Sequence, residues 1–396
     1  MAQLDLTTAT NLFKTKFGKL SENVYNSANV MLARMKKDFA FTGRQMFIPV
    51  PLSFQGGVGS GSLPTPNVAN YQDALITAKK VYSVVQVDRE AIKAASNDEG
   101  AFVRANREVA QKGVESWMRN ASRILWGDGT GSLGVIDAGG VTDNGGGNYD
   151  LVISAATFKE ANYEERDYIN IETGNTDLFE VLTVTPSTRT INVQRITGSQ
   201  VPIATDELFM QGSENNDPLG LKGVLDATSG TLYSVAVGRR WQATQSDQGG
   251  AGLTTDAMNE QMLEVQRKSG KVPNLIVCSF TQYRKLLNIM EDQKQIIVEP
   301  RVSELKGRVS FKALEFVSSA GSVPVVPERF VDDDRMYFLN DNFITAFHRP
   351  DFGWFDDDGT VFLREPSSDA FSARYGGYYE NYIVPSFHGV ITNLAV

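Results

Sequence analysis

Two prolines of equal parity in an otherwise strand-like run constrain this chain more than any other feature. In residues 45 to 54, QMFIPVPLSF, Met46, Ile48, Val50, Leu52 and Phe54 alternate with Gln45, Phe47, Pro49, Pro51 and Ser53. That is the period of two a β-strand requires. Residues of equal parity point their N–H groups toward the same edge, so Pro49 and Pro51 delete donors from one edge and leave the other able to pair. A central strand is forbidden, and an edge strand or two-stranded ribbon remains. The next stretch, GGVGSGSLPTPNVANYQ (56 to 72), is rich in Gly, Pro, Ser and Asn; LITAKKVYSVVQVD (75 to 88) then returns to β-rich composition. The whole reads as a long hairpin whose tip carries little apolar material. Two strands alone are marginal in water, so the ribbon needs a surface to lie on, its own body or a neighbour.

Ser96 to Glu99 fits a capping box, S-x-x-E, opening a long helix. Ala101, Phe102, Ala105, Val109, Val114, Trp117, Met118, Ala121, Ile124 and Leu125 supply its apolar positions, and Gly127 ends it. About 30 residues at 1.5 Å each make a rod of roughly 45 Å, a structural spine. Upstream, Val24, Ala28, Met31, Leu32 and Met35 predict a helix from about Glu22 to Phe39.

From Ser132 to Gly212 the composition turns to β and loop. FEVLTVTPSTRTINVQRITG (179 to 198) is a strand pair around Pro186-Ser187-Thr188, and the stretch is expected to be a small all-β insertion that could close as a barrel. After Gly220, a helix from about Thr255 to Ser269 carries Met258, Met262, Leu263 and Val265 and stops at Gly270. A strand at 274 to 278 follows, then a second capping-box match, Ser279 to Gln282, leading a helix over 280 to 290. Strands are expected at 323 to 327, 335 to 340 and 343 to 348, and a hairpin over 353 to 364 turning at Asp358-Gly359. The aromatic-rich stretch from Arg374 ends in strand-like GVITNLAV. The class is α+β, without internal repeat or coiled coil.

The chemistry that would mark an enzyme is missing. Gly127-Asp128-Gly129-Thr130-Gly131 follows a helix, whereas a dinucleotide fingerprint follows a strand, so a helix stop is the better reading. Ser303-Glu304-Leu305-Lys306 matches S-x-x-K without its companion motifs. Asp332-Asp333-Asp334 and Asp356-Asp357-Asp358 lack the alternating ligands of a calcium loop and read as solvated turns. Asn120-Ala121-Ser122 is a glycosylation match inside the spine helix and is incidental. With His348, His388 and the single Cys278, nitrogen and sulfur ligands for zinc are nearly absent, and Cys278 reads as a small buried hydrophobe. No catalytic residue, metal site or cofactor is assigned.

Lys and Arg number 38 against 47 Asp and Glu, a net charge of −9, which argues against a tight grip on nucleic acid but not against a shell that surrounds it. There is no apolar run of membrane-spanning length and no signal-peptide pattern at the N-terminus, so a cytoplasm is the expected site of synthesis.

The order of these features resembles the major capsid proteins of tailed phages over essentially the whole chain. FTGRQMFIPVP (41 to 51) enters the ribbon as members of that family do, and RILWGDGTGSLG (123 to 134) is close to a recurrent family phrase. DPLGLKGVLD (217 to 226), KVPNLIVCSFTQYRKL (271 to 286) and VPVVPERF…DDRMYFLN (323 to 340) look like later family segments. The resemblance implies the phage capsid fold. Its parts would be an N-terminal arm (1 to 43), an extended loop (44 to 90), a peripheral domain with the spine helix (91 to 131), the β-rich insertion (132 to 215), an axial domain (216 to 350), and a C-terminal hairpin with strands returning to the peripheral domain (351 to 396).

The resemblance also implies hexamers and pentamers of an icosahedral virion head enclosing double-stranded DNA, assembled in the host bacterial cytoplasm. DNA would be contacted weakly and without sequence specificity. A portal would be a partner and a decoration protein a further candidate; because the chain starts directly with the arm, a separate scaffolding protein or an already trimmed precursor is expected, and Met1 favours the former. The loop-tip residues expected to contact a neighbouring subunit are Phe54, Gly56, Gly57, Gly59, Gly61, Leu63, Pro64, Pro66 and Tyr71. Some family members crosslink through a lysine near the loop tip; here no lysine lies between Gln55 and Ala78, with Lys79 and Lys80 on the return strand, so such a bond is not expected. Two other readings stay open: an encapsulin-type nanocompartment shell, and a β-rich carbohydrate-binding or adhesion protein, the latter disfavoured by the spine helix.

Overall fold

The computed structural model describes residues 30–39, 41, 43–53, 70–88, 99–292, 314–318, 321–356, 360–365 and 369–396. A short helix α1 (Val30–Arg34) leads to β1 (Lys36–Asp38), which pairs in parallel with a strand more than 300 residues later. The helix expected to reach Phe39 therefore stops at Arg34 within the described residues. Met31, Leu32 and Met35 are buried as its spacing requires, but the residues after Arg34 find a sheet edge, a partner invisible to local periodicity.

Strand β2 (Gln45–Ser53) pairs antiparallel with β3 (Asn70–Thr77) as a two-stranded sheet, one of the two arrangements its prolines permit. The return segment is two strands rather than one. β3 ends at Thr77, and β4 (Lys79–Asp88) joins another sheet. The spine helix α2 runs Glu99–Trp126; Ser96 of its expected capping box lies outside the described residues. Val114, Trp117, Met118, Ala121, Ile124 and Leu125 form one buried stripe, and the Trp117 indole donates to the Val81 carbonyl at 3.2 Å.

Strands β5 (Ser132–Gly145), β6 (Asn148–Ile153), β7 (Tyr168–Ile171), β8 (Phe179–Thr185), β9 (Thr190–Arg195) and β10 (Glu207–Met210) then close a barrel in the order β10-β5-β6-β9-β8-β7. Leu133, Leu151, Phe179, Val181, Ile191, Val193 and Leu208 fill it. The β8–β9 hairpin turns at Pro186–Thr188, where the sequence places it.

Helix α3 (Leu221–Leu225) and the small hairpin β11 (Thr231–Leu232) with β12 (Val235–Ala236) lead to β13 (Thr244–Asp247). Helix α4 (Thr255–Ser269) begins with the Thr254 hydroxyl accepting from the Ala257 amide at 3.1 Å and stops at Gly270, which has φ of +69°. Of its expected apolar stripe, Met258, Met262 and Val265 are buried and Leu263 is exposed.

The remaining elements are β14 (Leu275–Cys278), α5 (Phe280–Asp292), β15 (Leu314–Ser318), β16 (Gly321–Pro327), β17 (Met336–Leu339), β18 (Ile344–Trp354), β19 (Phe362–Arg364), β20 (Ala370–Ile383) and β21 (Gly389–Thr392). A six-stranded sheet runs β13-β21-β17-β14-β16-β15. Every residue of β14 and β17 is buried, as expected of strands covered on both faces. Cys278 is among them, and burial pushes its thiol up to about 12, so it packs as a hydrophobe.

Two expectations are corrected. The Ser279 hydroxyl does accept from the Gln282 amide at 3.2 Å, but the Gln282 side chain donates to the Asp333 and Ala395 carbonyls, so the reciprocal half of the capping box is spent on tertiary contacts. Nor do β18 and β19 pair with each other among the described residues; the expected turn at Asp358-Gly359 lies outside them. Both pair with β20, end to end along one of its edges, while β4 covers the other. A 14-residue strand offers enough edge for both.

Candidate assembly surface

The ribbon β2–β3 has two different faces. Val50, Ala74 and Ile76 point inward and are buried, packing onto the same cores as α2, β18 and β20. Phe47, Pro49 and Pro51 have the opposite parity and point outward. Their cross-strand partners are Leu75, Asp73 and Tyr71, with Phe47 63% and Tyr71 54% exposed. An apolar stripe of Phe47, Pro49, Pro51 and Tyr71 therefore faces away from the body. The ribbon is tied down at its root: the Leu75 amide donates to the Tyr233 carbonyl at 2.8 Å, Gln72 accepts from the Ala236 amide at 3.2 Å, and Lys79 donates to the Asp217 carbonyl at 2.6 Å.

Of the residues expected at the loop tip, Tyr71 is on this outward stripe. Phe54, Gly56, Gly57, Gly59, Gly61, Leu63, Pro64 and Pro66 lie outside the described residues. The expectation passed over Phe47, Pro49 and Pro51. The signal was available, since the prolines' parity had fixed which side chains share their face.

Two phrases singled out in the sequence meet behind the ribbon. The end of α2 with its Gly127–Gly131 turn packs against the 217–226 segment, with Arg123 paired to Asp217 at 2.8 Å and the Gly223 amide donating to the Gly127 carbonyl at 3.3 Å. A side chain on Gly220 would overlap the carbonyl oxygens of Ile124, Leu125 and Gly127, so the backbones touch where only glycine fits. Beside them Glu380 is buried on β20 and accepts from the Leu219 amide at 2.6 Å.

Burial is the dominant influence on Glu380 and raises its carboxyl from 4.5 to about 8, despite those amide donors and nearby Lys79. The folded chain thus holds a proton that the unfolded chain releases above 4.5. Stability from this group is greatest below that value, falls by up to about 1.4 kcal/mol per pH unit as pH rises toward 8, and levels off beyond it. Glu380→Gln mimics the protonated acid. Urea midpoints measured from pH 5 to 9 should flatten in the variant, and the variant should be the more stable protein at pH 8. A variant that keeps the wild-type slope would show that Glu380 does not carry the proton.

The barrel is fastened to the body by charge. Arg119 on α2 pairs with Glu164 and Asp167 in the β6–β7 connection, each at 2.5 Å. Asp332 is buried, contrary to the solvated turn expected of its triplet. It takes Lys159 at 2.6 Å, Lys222 at 3.0 Å and Arg335 at 3.2 Å, and Arg335 also holds Asp226 at 2.6 Å. Burial alone would raise the Asp332 carboxyl, but Lys159 and Lys222 outweigh it and hold it at about 2. Lys159 is held down by burial. Three elements of different sequence origin share this one carboxylate: the barrel's connection, α3, and the turn before β17. Asp332→Asn leaves buried cations uncompensated and is expected to cost about 3 kcal/mol in urea unfolding. A loss under about 0.5 kcal/mol, the usual range for surface substitutions, would refute the assignment.

No group of three His, Cys, Asp or Glu residues among the described residues could hold a metal ion. Both histidines are buried, and burial depresses each to about 3, so they are neutral core groups, with His388 Nδ1 accepting from the Asn340 amide at 3.1 Å. No described helix is long and apolar enough to cross a membrane.

Comparison with known proteins agrees with this geometry. Residues 188–350 match the SU10 major capsid protein family. The chain superposes on the cyanophage A-1(L) capsid asymmetric unit with a TM-score of 0.54 and 10% identity, over 91% of each chain. An encapsulin complex from Synechococcus elongatus PCC 7942 (TM-score 0.46, 8% identity, 93% of this chain and 88% of that) and a structure from Mycobacterium phage Bobi (0.43, 10%, 92% and 90%) are more distant and add no weight. A search of curated protein sequences found no match. The chain thus shares the fold of that capsid structure along nine-tenths of its length, and the major-capsid family match spans residues 188–350.

Proposed function

We propose that copies of this chain join head to tail into hexamers and pentamers that tile an icosahedral head around double-stranded DNA, each ribbon lying across the next copy. The observation that carries this reading is the ribbon itself. Its inner face is buried on its own body, while its outer face presents Phe47, Pro49, Pro51 and Tyr71 to solvent. Exposed apolar surface of that kind, raised on a rooted two-stranded arm, suits contact with another molecule. Heterologous contacts close into rings, and many weak contacts per subunit sum to a stable container.

In this reading, α2 and the β4–β20 sheet form the peripheral part, residues 216 to 350 the axial part, and the barrel an appended insertion. Assembly takes place in the host bacterial cytoplasm with a scaffolding protein and a portal, and a decoration protein is a further candidate partner. The net charge of −9 fits a shell that holds DNA weakly and without regard to sequence.

Size-exclusion chromatography with light scattering, followed by negative-stain microscopy, tests this directly. Rings or hollow particles are the expected result, and nucleic acid inside particles from infected cells would separate a phage head from a nanocompartment. A chain that stays monomeric at every concentration, also with a co-expressed scaffolding protein, would overturn the reading.

A further inference from the structure

A groove of about 530 Å³ is lined by Pro49 and Pro51 of β2 and by the loop after β12. Arg239 and Arg240 line it with Trp241, and Lys268 reaches it from the last turn of α4. Among the described residues no carboxylate lines it. Among the described residues neither arginine is paired with an acid, and both are exposed. Lys268 Nζ donates to the Gln242 and Ala243 carbonyls at 2.8 and 3.2 Å, while burial, and after it the nearby Arg239, lowers its pKa. In a chain with nine more acidic than basic groups, an unneutralised basic cleft with an aromatic and proline wall is a surface awaiting an anionic partner.

The other end of α4 offers one. Asp256 and Glu260, one helical turn apart on the same face, are exposed and have no basic partner among the described residues. Eight to twelve residues of α4 separate this face from Lys268, about 12–18 Å along a single rigid element. Opposite charges at opposite ends of one rod cannot satisfy each other within a copy. They match when the start of one α4 meets the end of the next, and such a contact closes a ring when it repeats head to tail.

We propose that the Arg239–Arg240–Lys268 groove receives the Asp256–Glu260 face of α4 from a second copy of this chain, fixing the order and spacing of subunits around the ring. The proposal rests on the shell reading above and adds the partner and the contacting groups.

Sedimentation velocity on the full chain, at low and at moderate salt, tests it with four proteins: the natural chain, Arg239→Glu/Arg240→Glu, Asp256→Lys/Glu260→Lys, and the fourfold charge swap. Circular dichroism checks that each is folded, which is expected because all four positions are exposed. Each two-site variant should associate at least about tenfold more weakly at low salt, with the difference shrinking at moderate salt. The fourfold swap should recover most of that loss, because the charges again face their opposites. Two-site variants that associate like the natural chain, or a fourfold swap that recovers nothing, would overturn the contact and leave the shell reading standing. Loss in the arginine variant alone would give the groove to a different occupant and overturn the α4 assignment. A natural chain that never associates would instead strike the shell reading itself.

Discussion

Alanine at Gly220 should abolish stable folding of the subunit. The added methyl would overlap three backbone carbonyls at the end of α2, those of Ile124, Leu125 and Gly127. None is the flexible end of a side chain. They belong to the final turn of the spine helix and its stop, which are held in turn by the buried side chains of Trp117, Ile124, Leu125 and Trp126. Relief therefore requires either unwinding that turn or lifting the 217–226 segment away from it. Lifting the segment strains the Arg123–Asp217 pair and the hydrogen bond from Leu219 to Glu380. A destabilisation above about 4 kcal/mol is expected, a large part of the 5–15 kcal/mol that a domain commonly has. Gly238 is the control: nothing lies within 4 Å of a methyl placed there, and alanine should change stability by no more than about 0.5 kcal/mol. Soluble yield and urea unfolding of the two variants provide the measurement. If Gly220→Ala unfolds at the natural midpoint, the two backbones are not in the contact described.

Elements that follow from local chemistry were legible in the sequence. Helix α4 runs from Thr255 to the Gly270 stop as read, because a hydroxyl cap and a left-handed glycine are local devices. The β8–β9 hairpin, the spine helix and the ribbon follow equally from period and turn residues. What could not be read depends on partners distant in sequence. The β18–β19 segment reads as a hairpin from its Asp-Gly dipeptide, whereas the described parts of both strands pair with the distant β20. β1 exists because a strand edge at Thr345–Phe347 is available to it. Asp332 looks like one of three solvated acids until Lys159 and Lys222 arrive from the barrel and from α3. For the assembly surface, the parity of Pro49 and Pro51 already determined that Phe47 shares their face. The tip residues Phe54 to Pro66 carried no comparable internal check.

A chain lacking residues 56 to 70 should remain a folded, soluble subunit and form no closed shells. The described contacts that hold the ribbon's root lie on either side of that segment: Val50 on β2, and Ala74 and Ile76 on β3, all buried, together with the Leu75–Tyr233 and Lys79–Asp217 hydrogen bonds. Joining β2 to β3 through a short turn keeps these contacts and shortens the loop, which changes the closure entropy little. The unfolding midpoint should therefore stay within about 1 kcal/mol of the natural chain, since the deletion removes no residue of the described core. Assembly responds differently, because shell stability multiplies each contact over every subunit. A modest loss per interface then becomes a loss of the whole particle. Light scattering should report subunits or small rings, and negative-stain fields should contain no hollow particles at concentrations where the natural chain forms them. Particles of normal yield and size from the deletion would remove the tip from the assembly mechanism. The outward stripe of Phe47, Pro49, Pro51 and Tyr71 would then be the part of the ribbon still able to bind a neighbour, and replacing Phe47 with serine in the deleted chain would decide whether it does.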